Sequence, residues 1–206
     1  MKPRLLGAAL IGSVGLAACA VGGESHPTLD AIRAATEKYR DVEVALADGY
    51  VRDWLDTCET PYHMGLIGQS GAMGIHYLRQ DLLEIGQDAT RLDVAGTHTD
   101  FLQPAILVYE PRPNGSVELV AVQNMVSAAA WEANGNAEPP SFQGVPYEYA
   151  EPDAGMMTDA LYDRHIWLFR ENPDGLFAQY NPRVTCEHHE FDMPMIHPPD
   201  APMEHP

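Results

Sequence analysis

Two apolar runs held apart by Pro113, Asn114, Gly115 and Ser116 constrain this chain more than any other feature. The runs Ala105 to Glu110 and Val117 to Val126 are rich in β-branched residues. Asn-Gly between such runs marks a hairpin, because both residues tolerate positive φ. A two-residue turn at Asn114-Gly115 predicts the pairs Ile106–Gln123, Val108–Ala121 and Glu110–Leu119, with all six residues on one face of the sheet.

Other segments add elements to that hairpin. Ile32, Ala35, Tyr39, Val42 and Leu46 recur at spacings of three and four, the pattern of one long amphipathic helix. Thr28 or Asp30 caps its start and Asp48-Gly49 stops it. Its other face, with Arg33, Glu37, Lys38, Arg40 and Asp41, reads as a solvated surface. Ile75 to Leu78 is strand-like, Gln80 to Ile85 suits one helical turn, and Asp88 to Asp100 reads as a polar loop. Ala128 to Asp159 is a long excursion with a short strand near Tyr147. Arg164 to Phe169 alternates, with His165, Trp167 and Phe169 on one side and Ile166 and Leu168 on the other. The 206 residues suit one domain, and the expected class is α+β, one long amphipathic helix packed on an antiparallel sheet with long loops.

The N-terminus carries an address. Lys2 and Arg4 precede an apolar stretch from Leu5 to Ala18 that is short for a membrane span, the form of an export signal. It ends in Leu16, Ala17, Ala18 and Cys19, which resembles the lipobox of bacterial lipoproteins. That resemblance implies a signal peptide over 1–18, a lipidated Cys19 and attachment to the cell envelope through lipid; the polar residues that follow read as a tether over 19–27, and the elements beyond it as a domain over 28–186. The alternative is cleavage at Ala18-Cys19-Ala20, which releases a soluble secreted or periplasmic protein. Three cysteines are an odd number for an exported chain, and assigning Cys19 to lipid leaves Cys58 and Cys186 to form a disulfide. A pair of metal thiolates is the competing reading, although neither cysteine has a C-x-x-C neighbour.

Composition narrows the partners. A formal net charge of −18 argues against nucleic acid, whose phosphates need a basic face. Cations and neutral or basic ligands remain. Gly71 and Gly74 in the Gly- and Met-rich stretch from Met64 to Gly74 lack the Lys-Ser/Thr ending of a phosphate loop, and no G-x-S-x-G elbow supports a serine hydrolase.

Four ordered motifs carry a resemblance. They are Tyr39 to Val42 with Ala47 to Tyr50, Gly71 to Tyr77, Leu107 to Pro111, and His165 to Leu168 followed by Asn172 to Phe177 and Asn181 to Cys186. Together they resemble a family of exported bacterial proteins over Tyr39 to Cys186. The resemblance implies export, one domain and a Cys58–Cys186 partnership, and brings no activity with it. It also implies Glu at position 123, where this chain has Gln123.

Metal ligation is the constellation that remains. His76 and His165 sit in apolar strand-like contexts where a neutral imidazole suits zinc, iron or copper. Glu110 and position 123 compete as third ligand. Four strand residues, about 13 Å at 3.3 Å each, separate Glu110 from the Ile106–Gln123 pair, so the two cannot share an ion. Hydrogen-bonded core histidines are the other reading of His76 and His165. A second candidate is the Pro-rich tail over 187–206, where His188, His189, His197, His205, Met193 and Met195 suit loose capture of copper or zinc, or simply form a solvated extension. Two function classes follow: a non-catalytic envelope protein binding a ligand or metal cation, and a metal-dependent enzyme using an internal His/carboxylate site.

Two acyl chains on Cys19 hold a protein firmly at a membrane, since one alone is marginal. Cys19→Ala is therefore expected to move the protein into the aqueous phase on detergent partitioning. Unchanged membrane association contradicts the lipobox.

Overall fold

A computed structural model describes residues 26–53, 56–86, 92–152 and 158–189. The expected signal peptide, Cys19, and the tail residues Met193, Met195, His197 and His205 lie outside the described residues. The helical start is α1 (Leu29–Thr36), a 3-10 turn (Glu37–Arg40) and α2 (Val42–Ala47). There follow β1 (Val51–Arg52), β2 (Cys58–Glu59), β3 (Gly74–Leu78), α3 (Gln80–Leu83), β4 (Ile106–Pro111) and β5 (Val117–Ser127). The chain then runs through α4 (Ala128–Ala133), β6 (Ser141–Phe142), β7 (Val145–Pro146), β8 (Glu148–Ala150) and β9 (Leu161–Ile166).

The α+β class is as expected, but the single long helix is not. Thr28 Oγ1 does cap α1, accepting from Ala31 N at 3.1 Å. Thr36 then bonds back to the Ile32 carbonyl at 2.7 Å, a contact that competes with the regular ladder and bends helices. Asp41 is extended, and its side chain accepts from Glu43 N to start a new helix. The break rotates the apolar face, so Ala45 is buried and Leu46 is 43% exposed.

The main sheet is antiparallel and runs β1-β3-β4-β5-β9-β8, with β2 pairing β3 beside β1. Helices α1 and α2 cover one face, packing Ile32, Tyr39 and Ala45 with Leu107, Tyr109, Val122 and Ile166. Leu78, Ile106, Val108, Ala121 and Trp167 belong to a second apolar cluster, completed by Leu83, Val94 and Val184.

At the hairpin, Ile106 pairs with Gln123 and Val108 with Ala121 as the sequence predicts, but Tyr109 then pairs with Leu119 and Glu110 with Glu118. The loop has three residues rather than two, closed by Arg112 N donating to the Ser116 carbonyl. Gly115 N bonds to the Arg112 carbonyl at 3.0 Å, with Pro113 where a type I turn favours it and Gly115 at φ 80° in the left-handed position that follows. Val120 is the extra residue of a β-bulge that absorbs the mismatch. The bulge moves Leu119 to the helix-covered face, correcting the expected Glu110–Leu119 pair.

The Val120 carbonyl also accepts from Phe169 N at 3.1 Å and Arg170 N at 3.2 Å, so the chain leaves the β9 ladder after Ile166. This turn carries Phe169 to the opposite cluster from Trp167, which corrects their expected alternation. The Gly-rich stretch before β3 is needed for close approach. A Cβ on Gly71 would lie 2.1 Å from the Asn181 carbonyl oxygen, and one on Gly74 2.5 Å from that of Tyr109.

Cys58 and Cys186 form a disulfide across 128 residues. It ties β2 to the end of the described chain, and a loop of that length constrains the unfolded chain by about 4–5 kcal/mol on the entropy model. The double variant Cys58→Ser/Cys186→Ser should show that loss in urea unfolding monitored by circular dichroism. An unchanged midpoint contradicts a stabilising role.

Candidate functional site

His76 on β3 pairs with Val108, Val108 with Ala121, and Gln123 with His165 on β9. Alternation along each strand puts His76, Val108, Ala121, Gln123, Asp163 and His165 on one face. The two histidine backbones stand three strand spacings apart, about 14 Å at 4.8 Å each, yet their ring centroids are 6.4 Å apart. The imidazoles lean toward one another over Val108 and the small side chain of Ala121.

Asp163 organises one end of this group. Gln123 Nε2 donates to Asp163 Oδ1 at 2.9 Å, and His165 Nδ1 lies 3.5 Å from Asp163 Oδ2. Trp167 stacks on the His165 ring and is itself fixed by Nε1 donating to the Ala178 carbonyl at 2.6 Å. His76 is 7%, His165 2% and Gln123 1% exposed. His76 Nε2, His165 Nε2 and Gln123 Oε1 are nevertheless buried without a hydrogen-bond partner. Native interiors pair nearly all such atoms, and each one left bare costs roughly 1–3 kcal/mol.

Burial sets the charge states. It pushes His76 down to about 3, with the neighbouring His165 adding to the shift and a weak side-chain hydrogen bond from the ring to the Gln123 amide, too poorly formed to meet ordinary geometry, opposing it. It pushes His165 down to about 3 as well, aided by Arg164. Both rings are therefore neutral at physiological pH and hold lone pairs for a ligand. Asp163 is pushed up to about 6 by burial, against the opposing effects of Gln123 and Arg164.

Of the sequence-derived ligands, the structure brings His76 and His165 together and leaves Glu110 elsewhere. Glu110 Oε1 accepts from Thr185 N at 3.0 Å. Its Oε2 stands 2.9 Å from Arg170 and 3.1 Å from Arg112, and Glu118 pairs with the same two arginines. These charges stitch the 183–186 segment to the hairpin. Among the described residues, no three His, Cys, Asp or Glu side chains are placed to hold a metal ion. The third polar group beside the histidines is the amide of Gln123. Asp163, which sequence reasoning missed, was signalled only by its position two residues before His165 on the same strand.

The tail expectation also changes where it is described. His189 turns back, its N bonded to the Cys186 carbonyl, and its ring is committed: Nε2 lies 2.6 Å from the Asp56 carbonyl and Nδ1 3.4 Å from Arg52. It lines a cavity of ≈ 300 Å³ with Cys58, Thr60, Tyr62, His63, Cys186 and Glu187. His188 is exposed. No helix among the described residues is long and apolar enough to cross a membrane. No family model, curated protein or solved structure matches this chain.

The shifts fix a pH dependence. Below the unfolded histidine value of 6.5 the unfolded chain gains two protons that the native state refuses until about 3, so stability falls as pH falls. Asp163 acts oppositely between about 6 and 3.8, gaining its proton first in the native state. Two groups outweigh one, so Tm should fall from pH 6.5 toward 4, and His76→Gln/His165→Gln should flatten that slope. A slope unaltered by the double substitution contradicts neutral burial of the pair.

Proposed function

We propose that this chain is a lipid-anchored bacterial envelope protein that binds a transition-metal cation, zinc or copper, inside its sheet domain through His76, His165 and Gln123. The lipobox resemblance and the export signal support the location, and the Cys58–Cys186 bond is compatible with an oxidising compartment. The observation that carries the metal reading is the set of three buried, unpartnered polar atoms on one sheet face. A core histidine ordinarily satisfies both ring nitrogens. Here two of them keep an Nε2 without a well-formed hydrogen bond, and the Gln123 amide oxygen is in the same state.

Ring spacing admits one ion shared by both histidines only once the rings close. A metal–nitrogen bond of about 2.0–2.1 Å puts the ion about 3.2 Å from each ring centroid, so two imidazoles on one ion lie up to about 6.4 Å apart. The observed 6.4 Å is that limit, and closing to a tetrahedral angle draws the rings together by about 1 Å. Two neutral imidazoles with a neutral amide oxygen suit zinc or copper better than the hard cations calcium and magnesium, which prefer carboxylates and water. Burial of all three groups favours binding over turnover, because a catalytic metal keeps an open coordination position.

The test is competition of the purified, untagged protein against a chelating dye for Zn(II) and Cu(II). One equivalent is expected to bind tightly. His76→Ala and His165→Ala should each weaken it by more than the roughly 10–100-fold typical of losing an outer-shell partner, and the triple variant His188→Ala/His197→Ala/His205→Ala should retain it. Retention in the internal variants with loss in the tail variant contradicts the proposal.

A further inference from the structure

Resting on that reading, we infer that Asp163 is the positioning residue that decides which atoms Gln123 and His165 present to the ion, and that it supplies from one bond away the negative charge that the amide at position 123 lacks. The geometry is a fork. One carboxylate oxygen takes the Gln123 Nε2 donor at 2.9 Å, which leaves Gln123 Oε1 as the atom turned away from Asp163. The other oxygen faces His165 Nδ1 at 3.5 Å.

A carboxylate accepts and does not donate. It therefore holds the proton of a neutral His165 on Nδ1 and leaves the lone pair on Nε2, the nitrogen that has no partner. Metal-bound histidines commonly give their other N–H to a carboxylate in this way, which fixes the tautomer and raises ligand basicity. Here one carboxylate does so for two ligands at once. The 3.5 Å contact is long for a hydrogen bond, so it acts on the ring as an electrostatic bias.

The same fork explains how a neutral amide at position 123 serves. With Asp163 present, the Gln123 amide has one orientation that satisfies its NH2 group. Asp163→Asn removes that preference. The introduced asparagine brings its own NH2 group, and when its carbonyl oxygen serves His165, the Gln123 oxygen turns toward that NH2 group and away from the ion. Exchanging the two residues, Gln123→Glu with Asp163→Asn, rebuilds the pair in reverse. The new amide at position 163 then donates to one oxygen of the new carboxylate at position 123, whose other oxygen faces the ion, and the amide carbonyl accepts from His165 Nδ1–H. Gln123→Glu alone sets two carboxylates face to face without the bridging proton.

The experiment measures Zn(II) affinity by chelator competition in the full chain, for wild type, Asp163→Asn, Gln123→Glu and the exchanged double variant. The tautomer of His165 is read by imidazole 15N NMR of the metal-free wild type, and thermal melts report whether each variant folds. Asp163→Asn should lower affinity by about 10–100-fold. The exchange should recover wild-type affinity or exceed it, and should bind more tightly than Gln123→Glu alone. Metal-free His165 should carry its proton on Nδ1. A folded Asp163→Asn protein that binds zinc as the wild type does overturns the inference, and so does an exchange as weak as the single Asp163 variant. If Asp163→Asn does not fold, recovery of both folding and affinity by the exchange carries the test. If the wild type binds no zinc, the metal reading fails, while the NMR spectrum still decides the Asp163 contact: a proton on Nε2 of His165 overturns it.

Discussion

The register of β4, β5 and β9 is the constraint on which the rest depends. Pairing of Ile106 with Gln123 and of Gln123 with His165 sets an amide beside an imidazole, and pairing of His76 with Val108 brings the second imidazole over Ala121. A slip of one residue would turn every one of these side chains to the helix-covered face. The bulge at Val120 lets the hairpin keep this register at its far end while closing through a loop one residue longer than the tightest turn. The Val120 carbonyl then takes the two amides that steer the chain out of β9.

A second layer of polar contacts locks the segment that returns over the sheet. Glu110 accepts from Thr185 N and pairs with Arg112 and Arg170, and Cys186 is bonded to Cys58 on β2. Asn181 exchanges backbone bonds with Ala72 at 3.2 and 3.0 Å, which only a glycine at position 71 permits. Residues 181–186 are thus pinned to β2, to the stretch before β3 and to the hairpin at once.

Much of this was legible in the residues. Asn-Gly between β-branched runs located the hairpin and two of its three pairs, and an odd cysteine count, with Cys19 in a lipobox-like sequence, isolated Cys58 and Cys186 as partners. Local chemistry at Thr36 and Asp41 divided the helix, because heptad-like spacing records which residues are apolar and not where a side chain caps the backbone. Ser127 with the alanines after it formed α4 inside what read as an excursion; its hydroxyl accepts from Ala130 N. At the site, the two histidines were legible from their strand contexts. Asp163 was not, since its role depends on a partner 40 residues away, and Glu110 drew attention as a carboxylate although its partner Arg170 comes from a distant position.

The central claim is that His76, Gln123 and His165 form the interior metal site. Its most direct test is Zn(II) titration of the histidine-labelled full chain, following the imidazole 15N resonances of all nine histidines. A site built as described requires the Nε2 resonances of His76 and His165 to shift together and reach their end point at one equivalent, with the remaining histidines unmoved to that point. Movement of the tail histidines alone, with His76 and His165 unchanged, would contradict it.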